Sequence, residues 1–421
     1  RSRGLGDVYK RQDQDMNLFK RYFILFFIVL LVGCRHQEEP FNGNKEVRQM
    51  TLIYAVNNNN LSYDLKVNED QMLKAMENVD PEEYKLLLYK YTSDGYGLYE
   101  VCNVNGRLQF VLLKSYEKSI PAVSADRISN VINDALGAYP GVPSNLFFWG
   151  HGLGWINPYK YSSTVIGKNA SSESVEHLPE VYAFGGEYVE EDNVRNTVYI
   201  DLDQLADAIP DGKFDMIWFD CCYMSCIEVA YQLRNKCNTY VAYPTEIMGE
   251  GLPYNLVFPH IIGDNVDRVE AAKALYGYYT GKYSPDPVTV AVMDMESIDG
   301  VAEAAKRIIA SGNILPSIAG MQNYSRMKGV GYYDFGQYMR KYADVNGKSS
   351  DADVEQLNLA LKKFVIYSDA SELDFRGYPI DKSNFSGLSV HNFANVNSAM
   401  DDYYRKLDWY KYVWQKSGVA E

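Results

Sequence analysis

Two short stretches of this chain carry side chains able to do nucleophilic chemistry. The first, Phe147-Phe148-Trp149-Gly150-His151-Gly152-Leu153-Gly154-Trp155, puts an imidazole just beyond an apolar run. The second, Met216-Ile217-Trp218-Phe219-Asp220-Cys221-Cys222-Tyr223-Met224, puts a carboxylate and two thiols beyond another. Such runs read as buried strands, and in an open α/β sheet reactive groups collect where the strands end. Gly152 and Gly154 let backbone approach a ligand closely. A helix predicted over Met224–Leu233 sets the thiols near a helix N-terminus, whose dipole favours thiolate. A His and a Cys on adjacent strand ends form a nucleophile–base pair. Plainer roles fit the same residues: a self-satisfied Gly-His-Gly turn, a buried or disulfide-linked Cys-Cys pair, and an N-cap for Asp220. A zinc role for Cys221, Cys222, Cys226 and Cys237 fits the spacing poorly, and neither HExxH nor a paired CxxC occurs.

The elements that must position these groups alternate. Strands are predicted at Leu52–Val56, Leu86–Tyr91, Leu98–Val101, Leu146–Trp149, Met216–Phe219, Tyr240–Ala242 and Val288–Met293. Helices are predicted at Asp126–Ala138, Leu202–Ile209, Met224–Leu233, Ile298–Ile309 and Val354–Val365, with an aromatic helix at Tyr403–Trp414 and a late strand at Gly387–Val390. The alternation predicts an α/β fold, a largely parallel sheet with helices on both faces and a helical C-terminal extension. The polar stretch Asn157–Asn196 reads as a long structureless loop. The 421 residues carry 41 Lys+Arg against 55 Asp+Glu, a formal net charge of −14 that argues against nucleic-acid binding. Hydrophobic residues at 47% and charged residues at 23% describe a folded chain.

The N-terminal region reads as an address. Residues 1–15 look like a non-native leader ahead of Met16. Residues 16–33 join basic Lys20 and Arg21 to an apolar run, Phe23–Val32, too short to span a bilayer. Leu31-Val32-Gly33-Cys34 resembles a lipobox, which makes Cys34 an acylation site and residues 34–48 a tether. The expectation is a lipid-anchored protein of the cell envelope, at the outer membrane.

With Trp155, Glu228-Val229-Ala230-Tyr231, Thr51-Leu52-Ile53-Tyr54, Asn58-Asn59-Asn60-Leu61, Glu246, Gly251-Leu252-Pro253-Tyr254, Tyr333-Asp334-Phe335 and Gly387-Leu388-Ser389, the two stretches resemble the clostripain-like cysteine peptidases, relatives of caspases, gingipains and legumains. The resemblance runs from about Thr51 to about Val390. It implies a caspase-like fold over residues 49–421, with a catalytic core at about 49–295 and a C-terminal subdomain at about 296–421. It implies Cys222 as nucleophile, His151 as proton acceptor and donor, and an oxyanion hole from the backbone N–H groups of Gly152 and Cys222. Asp220 matches the acidic residue of the S1 pocket, which pairs with Arg or Lys of a protein or peptide substrate. Cys221 and Tyr223 stand where the family has Ala and Leu. Self-cleavage in the loop after His151 is implied, at Lys168 first, then Lys160, then Arg195. No cofactor is required; calcium on the acidic run Glu187-Glu190-Glu191-Asp192 competes with a solvated charge run. A monomer is expected. The other reading is a catalytically silent surface lipoprotein that keeps the fold as a binding module.

Overall fold

Strands form where the sequence has short apolar runs: β1 (Gln49–Ala55), β2 (Tyr84–Thr92), β3 (Gly95–Val104), β4 (Arg107–Tyr116), β5 (Ser144–Trp149), β6 (His151–Gly152), β7 (Phe184–Glu191), β8 (Val194–Ile200), β9 (Phe214–Asp220), β10 (Cys237–Ala242), β11 (Thr289–Asp294), β12 (Tyr332–Asp334), β13 (Val365–Ala370) and β14 (Ser389–His391). The computed structural model describes residues 45–156, 184–191, 194–325, 331–347, 351–392 and 402–415. Among the described residues, nine strands make the main sheet, in the order β13-β11-β10-β9-β5-β1-β2-β3-β4. The centre, β10 to β2, is parallel. The flanks are antiparallel, β11 and β13 on one side, β3 and β4 on the other.

Parallel strands buried on both faces read as continuous apolar runs, and alternation then decides which core each side chain enters. On β9, Ile217 and Phe219 enter one core and Met216 and Trp218 the other. Helices α1 (Ser62–Met76), α5 (Tyr254–Val257) and α6 (Arg268–Thr280) cover the second face. Helices α2 (Ala125–Ala138), α3 (Leu202–Ala208), α4 (Ile227–Gln232), α7 (Ile298–Ala310), α8 (Phe335–Asn346) and α9 (Asp351–Phe364) cover the first. The Ser124 hydroxyl caps α2 by accepting from the Arg127 N–H at 3.2 Å.

Three expectations change. Part of the stretch read as structureless is β7 and β8, which join β6 in a three-stranded sheet through the register His151↔Gly185. The helix expected from Met224 begins at Ile227, because Ser225 is held by distant partners, its N–H donating to the Tyr243 carbonyl and its hydroxyl to the Gly387 carbonyl. The C-terminal extension is not purely helical: α9 ends at Phe364 and Val365 opens β13, an edge strand of the main sheet. The expected late strand is present as β14, paired with β12 in a two-stranded sheet.

These late elements brace the chain beyond β9. The Ser389 N–H donates to the Ser225 carbonyl at 3.0 Å. The buried Glu228 Oε1 accepts the His391 N–H at 2.9 Å and the Tyr404 hydroxyl at 3.0 Å. Burial without a cation pushes the Glu228 carboxyl up to about 7.

Candidate active site

Strands β5 and β9 are parallel neighbours in the register Trp149↔Asp220, so their carboxyl ends emerge side by side. His151 follows one end and Cys222 the other, and both line one cavity of about 370 Å³ with Asp220, Asn60, Glu246 and Arg376.

The two thiols differ because β9 alternates. Cys221 continues the Ile217/Phe219 face, is fully buried, and donates its S–H to the Phe148 carbonyl at 3.3 Å. Cys222 has cleared the strand and stands partly exposed at the cavity, its sulfur accepting the Ile247 N–H at 3.4 Å. The thiols are bonded on opposite flanks of β9, and Cys102, Cys221, Cys222, Cys226 and Cys237 are all free. The expected help from a helix dipole does not arise, since the six-residue α4 starts only at Ile227. Burial instead pushes the Cys222 thiol up to about 12, which leaves it protonated and in need of a base.

Directly after Cys222, Tyr223 adopts a left-handed φ of 59°, uncommon for a large side chain. Its N–H donates to the Thr245 carbonyl at 3.0 Å, and its ring stacks on Tyr332 at 5.2 Å. Both contacts turn the chain off the strand end and leave Cys222 at the apex.

His151 lies on β6, whose partner β7 supplies Gly185 and Gly186. A Cβ at Gly186 would come within 3.2 Å of the imidazole. The His151 Nε2 lies 2.8 Å from the Asn60 Oδ1. With an amide oxygen there, the imidazole tautomer protonated on Nε2 is the one that makes this hydrogen bond. Asn60 ends a run of four that ties the site together. Asn57 exchanges hydrogen bonds with the Tyr91 backbone at 2.9 and 2.8 Å, Asn58 donates to the Tyr188 carbonyl at 2.8 Å, and Asn59 donates to the Gly186 carbonyl at 3.0 Å. In the sequence, Asn58-Asn59-Asn60-Leu61 enters only through the family resemblance, and its contact with the imidazole is not read there; four adjacent amides beyond a buried strand were the available signal.

Asp220 is the last residue of β9, not a helix cap, and is 3% exposed. Its Oδ2 accepts the Leu252 N–H and the Tyr254 hydroxyl, both at 3.0 Å, and among the described residues its Oδ1 has no partner. Burial pushes the carboxyl up to about 6. Gly251, at φ 62°, approaches so closely that a Cβ would sit 2.7 Å from Oδ2. Gly152 is equally confined, since its Cβ would fall 2.6 Å from the Cys222 carbonyl oxygen.

The other acid of the cavity, Glu246, is already neutralised. Arg376 reaches it with Nε at 2.6 Å and Nη2 at 2.8 Å, from a hairpin closed by a Leu373↔Pro379 bridge. The pair was not anticipated, because the two positions are far apart in sequence.

Lys160 and Lys168 lie outside the described residues. Arg195 sits within β8, its backbone paired with Glu190. The acidic run is not one surface. Glu187 is buried, its Oε1 accepting the Tyr96 hydroxyl and its Oε2 the Val123 N–H, whereas Glu190 is exposed.

The family model for the clostripain family matches residues 188–418, which include Asp220 and Cys222 and leave His151 outside. Among solved structures, the chain resembles a secreted C11 cysteine protease from Bacteroides thetaiotaomicron in complex with an irreversible peptide inhibitor. The two are 23% identical with a TM-score of 0.72, over 88% of this chain and 99% of that one. An inactive zymogen C11 protease from Parabacteroides distasonis is 22% identical with a TM-score of 0.70, at the same coverage. At these identities the likeness is one of fold. No curated protein matches the chain significantly.

Proposed function

The chain belongs to the clostripain family and is a cysteine-type peptidase, and we propose that it cleaves peptide bonds after Arg or Lys with Cys222 as nucleophile and His151 as its base. The observation that carries the residue preference is the buried Asp220 carboxyl, whose unpartnered oxygen belongs to a residue lining the same cavity as His151 and Cys222. A guanidinium or ammonium of the substrate supplies the missing donor and the compensating charge. Glu246 does not compete, because Arg376 holds it.

The protonated Cys222 gives its proton to the His151 Nδ1 as sulfur attacks the scissile carbonyl carbon. The oxyanion is met by the N–H groups of Gly152 and Cys222, each such donor typically worth about 3 kcal/mol. The imidazolium then protonates the amide nitrogen, the C–N bond breaks, the amine leaves and a thioester remains. Water, deprotonated by His151, attacks the thioester and restores the thiol. Asn60 keeps the ring in the orientation and tautomer that both proton transfers require.

Labelling tests the reading. A peptide ending in Lys or Arg and bearing a thiol-reactive group should modify wild type irreversibly, and should modify neither Cys222→Ala nor wild type presented with a C-terminal Leu. Labelling of Cys222→Ala would place the nucleophile elsewhere.

We further propose acylation at Cys34, which anchors the protein to a membrane of the cell envelope, and self-cleavage after Lys168, with Lys160 as second choice. Tethering raises the effective concentration of such a segment. Arg195 stays third, because its backbone is paired with Glu190 and would have to leave that pairing to enter a cleft. Mass spectrometry of the membrane-extracted protein should find an acylated Cys34 and a break after Lys168, with a single uncut chain in Cys222→Ala. An intact, active wild type would overturn self-processing.

A further inference from the structure

The site has a direction, and this extends the reading above. The Asp220 carboxyl is bonded to Leu252 and Tyr254, which follow β10, so the residue before the cut approaches from the β10 flank. His151, which must protonate the departing amine, follows β5 on the other flank of β9. The next strand on that side is β1. Its exit turn is a shared wall: Asn60 faces the catalytic cavity, while Asn58 and Ser62 face a second hollow of about 490 Å³ with Lys66, Glu69, Lys90 and Tyr91. The wall is fixed by the Asn57–Tyr91 hydrogen bonds and by the Asn59 Oδ1, which accepts the Leu61 N–H at 2.9 Å.

The charges in this hollow do not cancel. Lys90 is paired with Glu69 at 2.7 Å. Lys66, exposed on α1, has no ion pair or hydrogen bond among the described residues. One cation therefore stands uncompensated on a chain whose formal net charge is −14. Strands lie about 4.8 Å apart, which sets the hollow about 10–14 Å beyond β9. An extended peptide advances about 3.4 Å per residue, so its third or fourth residue after the cut reaches this point.

We propose that this hollow binds the amine-side part of the substrate and that Lys66 selects Asp or Glu three to four residues after the scissile bond. Fluorescence-quenched peptides with every combination of Asp, Ala and Lys at those two positions test it, with P1 also varied. A peptidase that cuts after some other residue then still reports its amine-side preference, and failure of the basic-P1 reading stays separate. The readout is kcat/KM for each peptide divided by that for the matching P1 aminocoumarin amide, which has no amine-side residues. Wild type should favour Asp over Ala about threefold to fivefold at low salt, with the preference fading at 0.5 M salt, near a Debye length of about 4 Å. Lys66→Ala should level the ratios, and Lys66→Glu should make Lys the favoured residue. A wild type indifferent to charge there, or a preference for Asp that persists in Lys66→Glu, would overturn the proposal.

Discussion

In Cys222→Ala, peptide hydrolysis should fall by about four orders of magnitude or more, the scale seen when a covalent nucleophile is removed, while Cys221→Ala should keep kcat/KM within about threefold of wild type. Adjacent cysteines make this a sharp comparison. The Cys222 sulfur lines the cavity and accepts one N–H, so its loss should leave the melting temperature nearly unchanged. Cys221 is fully buried and donates to the Phe148 carbonyl, so its loss should cost about 1–2 kcal/mol of stability from a small cavity and a broken hydrogen bond. Activity and stability should separate cleanly between neighbours. Steady-state kinetics and thermal melts on the two variants check it; activity lost in Cys221→Ala with the fold intact would reverse the assignment of nucleophile.

Asp220→Asn should lower kcat/KM for Arg and Lys substrates by about 10²–10³, the loss expected when one member of a buried charge pair is removed, and should leave turnover of neutral substrates close to wild type. The pH dependence follows from the carboxyl being pushed up to about 6 in the empty site. Only the ionised form attracts a cation, so KM for basic substrates should rise as pH falls below about 6, an inflection absent from Asp220→Asn. Stability runs the other way. A carboxyl whose folded pKa is raised contributes stability that is fully present at low pH and lost as pH rises through about 6. The Asn variant should therefore melt higher than wild type at pH 8 and not at pH 4. Initial rates from pH 5 to 8 and paired melting curves decide it; a variant that still prefers Arg tenfold over Leu would remove Asp220 from the S1 role.

Much of this site could be read from the strands. Apolar runs at Leu146–Trp149 and Met216–Phe219 located β5 and β9, and the groups beyond them located the cavity. Strand periodicity also sorts Cys221 from Cys222, since it carries Cys221 onto the buried Ile217/Phe219 face. What was not legible depends on partners distant in sequence. The Tyr223 conformation is set by Thr245 and Tyr332, the Glu246 charge is cancelled by Arg376, and the Glu187 carboxyl is drawn inward by Tyr96 and Val123. The helix after Cys222 was placed too early for the same reason: Ser225 bonds to Tyr243 and Gly387 rather than continuing a local helical pattern.

The placement of β5 and β9 bears on hydrogen exchange. They are inner neighbours of a nine-stranded sheet, with β1 to β4 beyond one and β10, β11 and β13 beyond the other. Amides on edge strands such as β4 can exchange by local fraying, but those between β5 and β9 have no route short of opening the whole sheet. The most slowly exchanging protons of this protein should therefore sit directly behind His151 and Cys222. Because β5 precedes the segment that joins β6 to β7 and β9 follows it, a cut within that segment would divide this most protected layer between two polypeptides. Neither could then release its slow amides without the other, and the two would exchange, and unfold, as one.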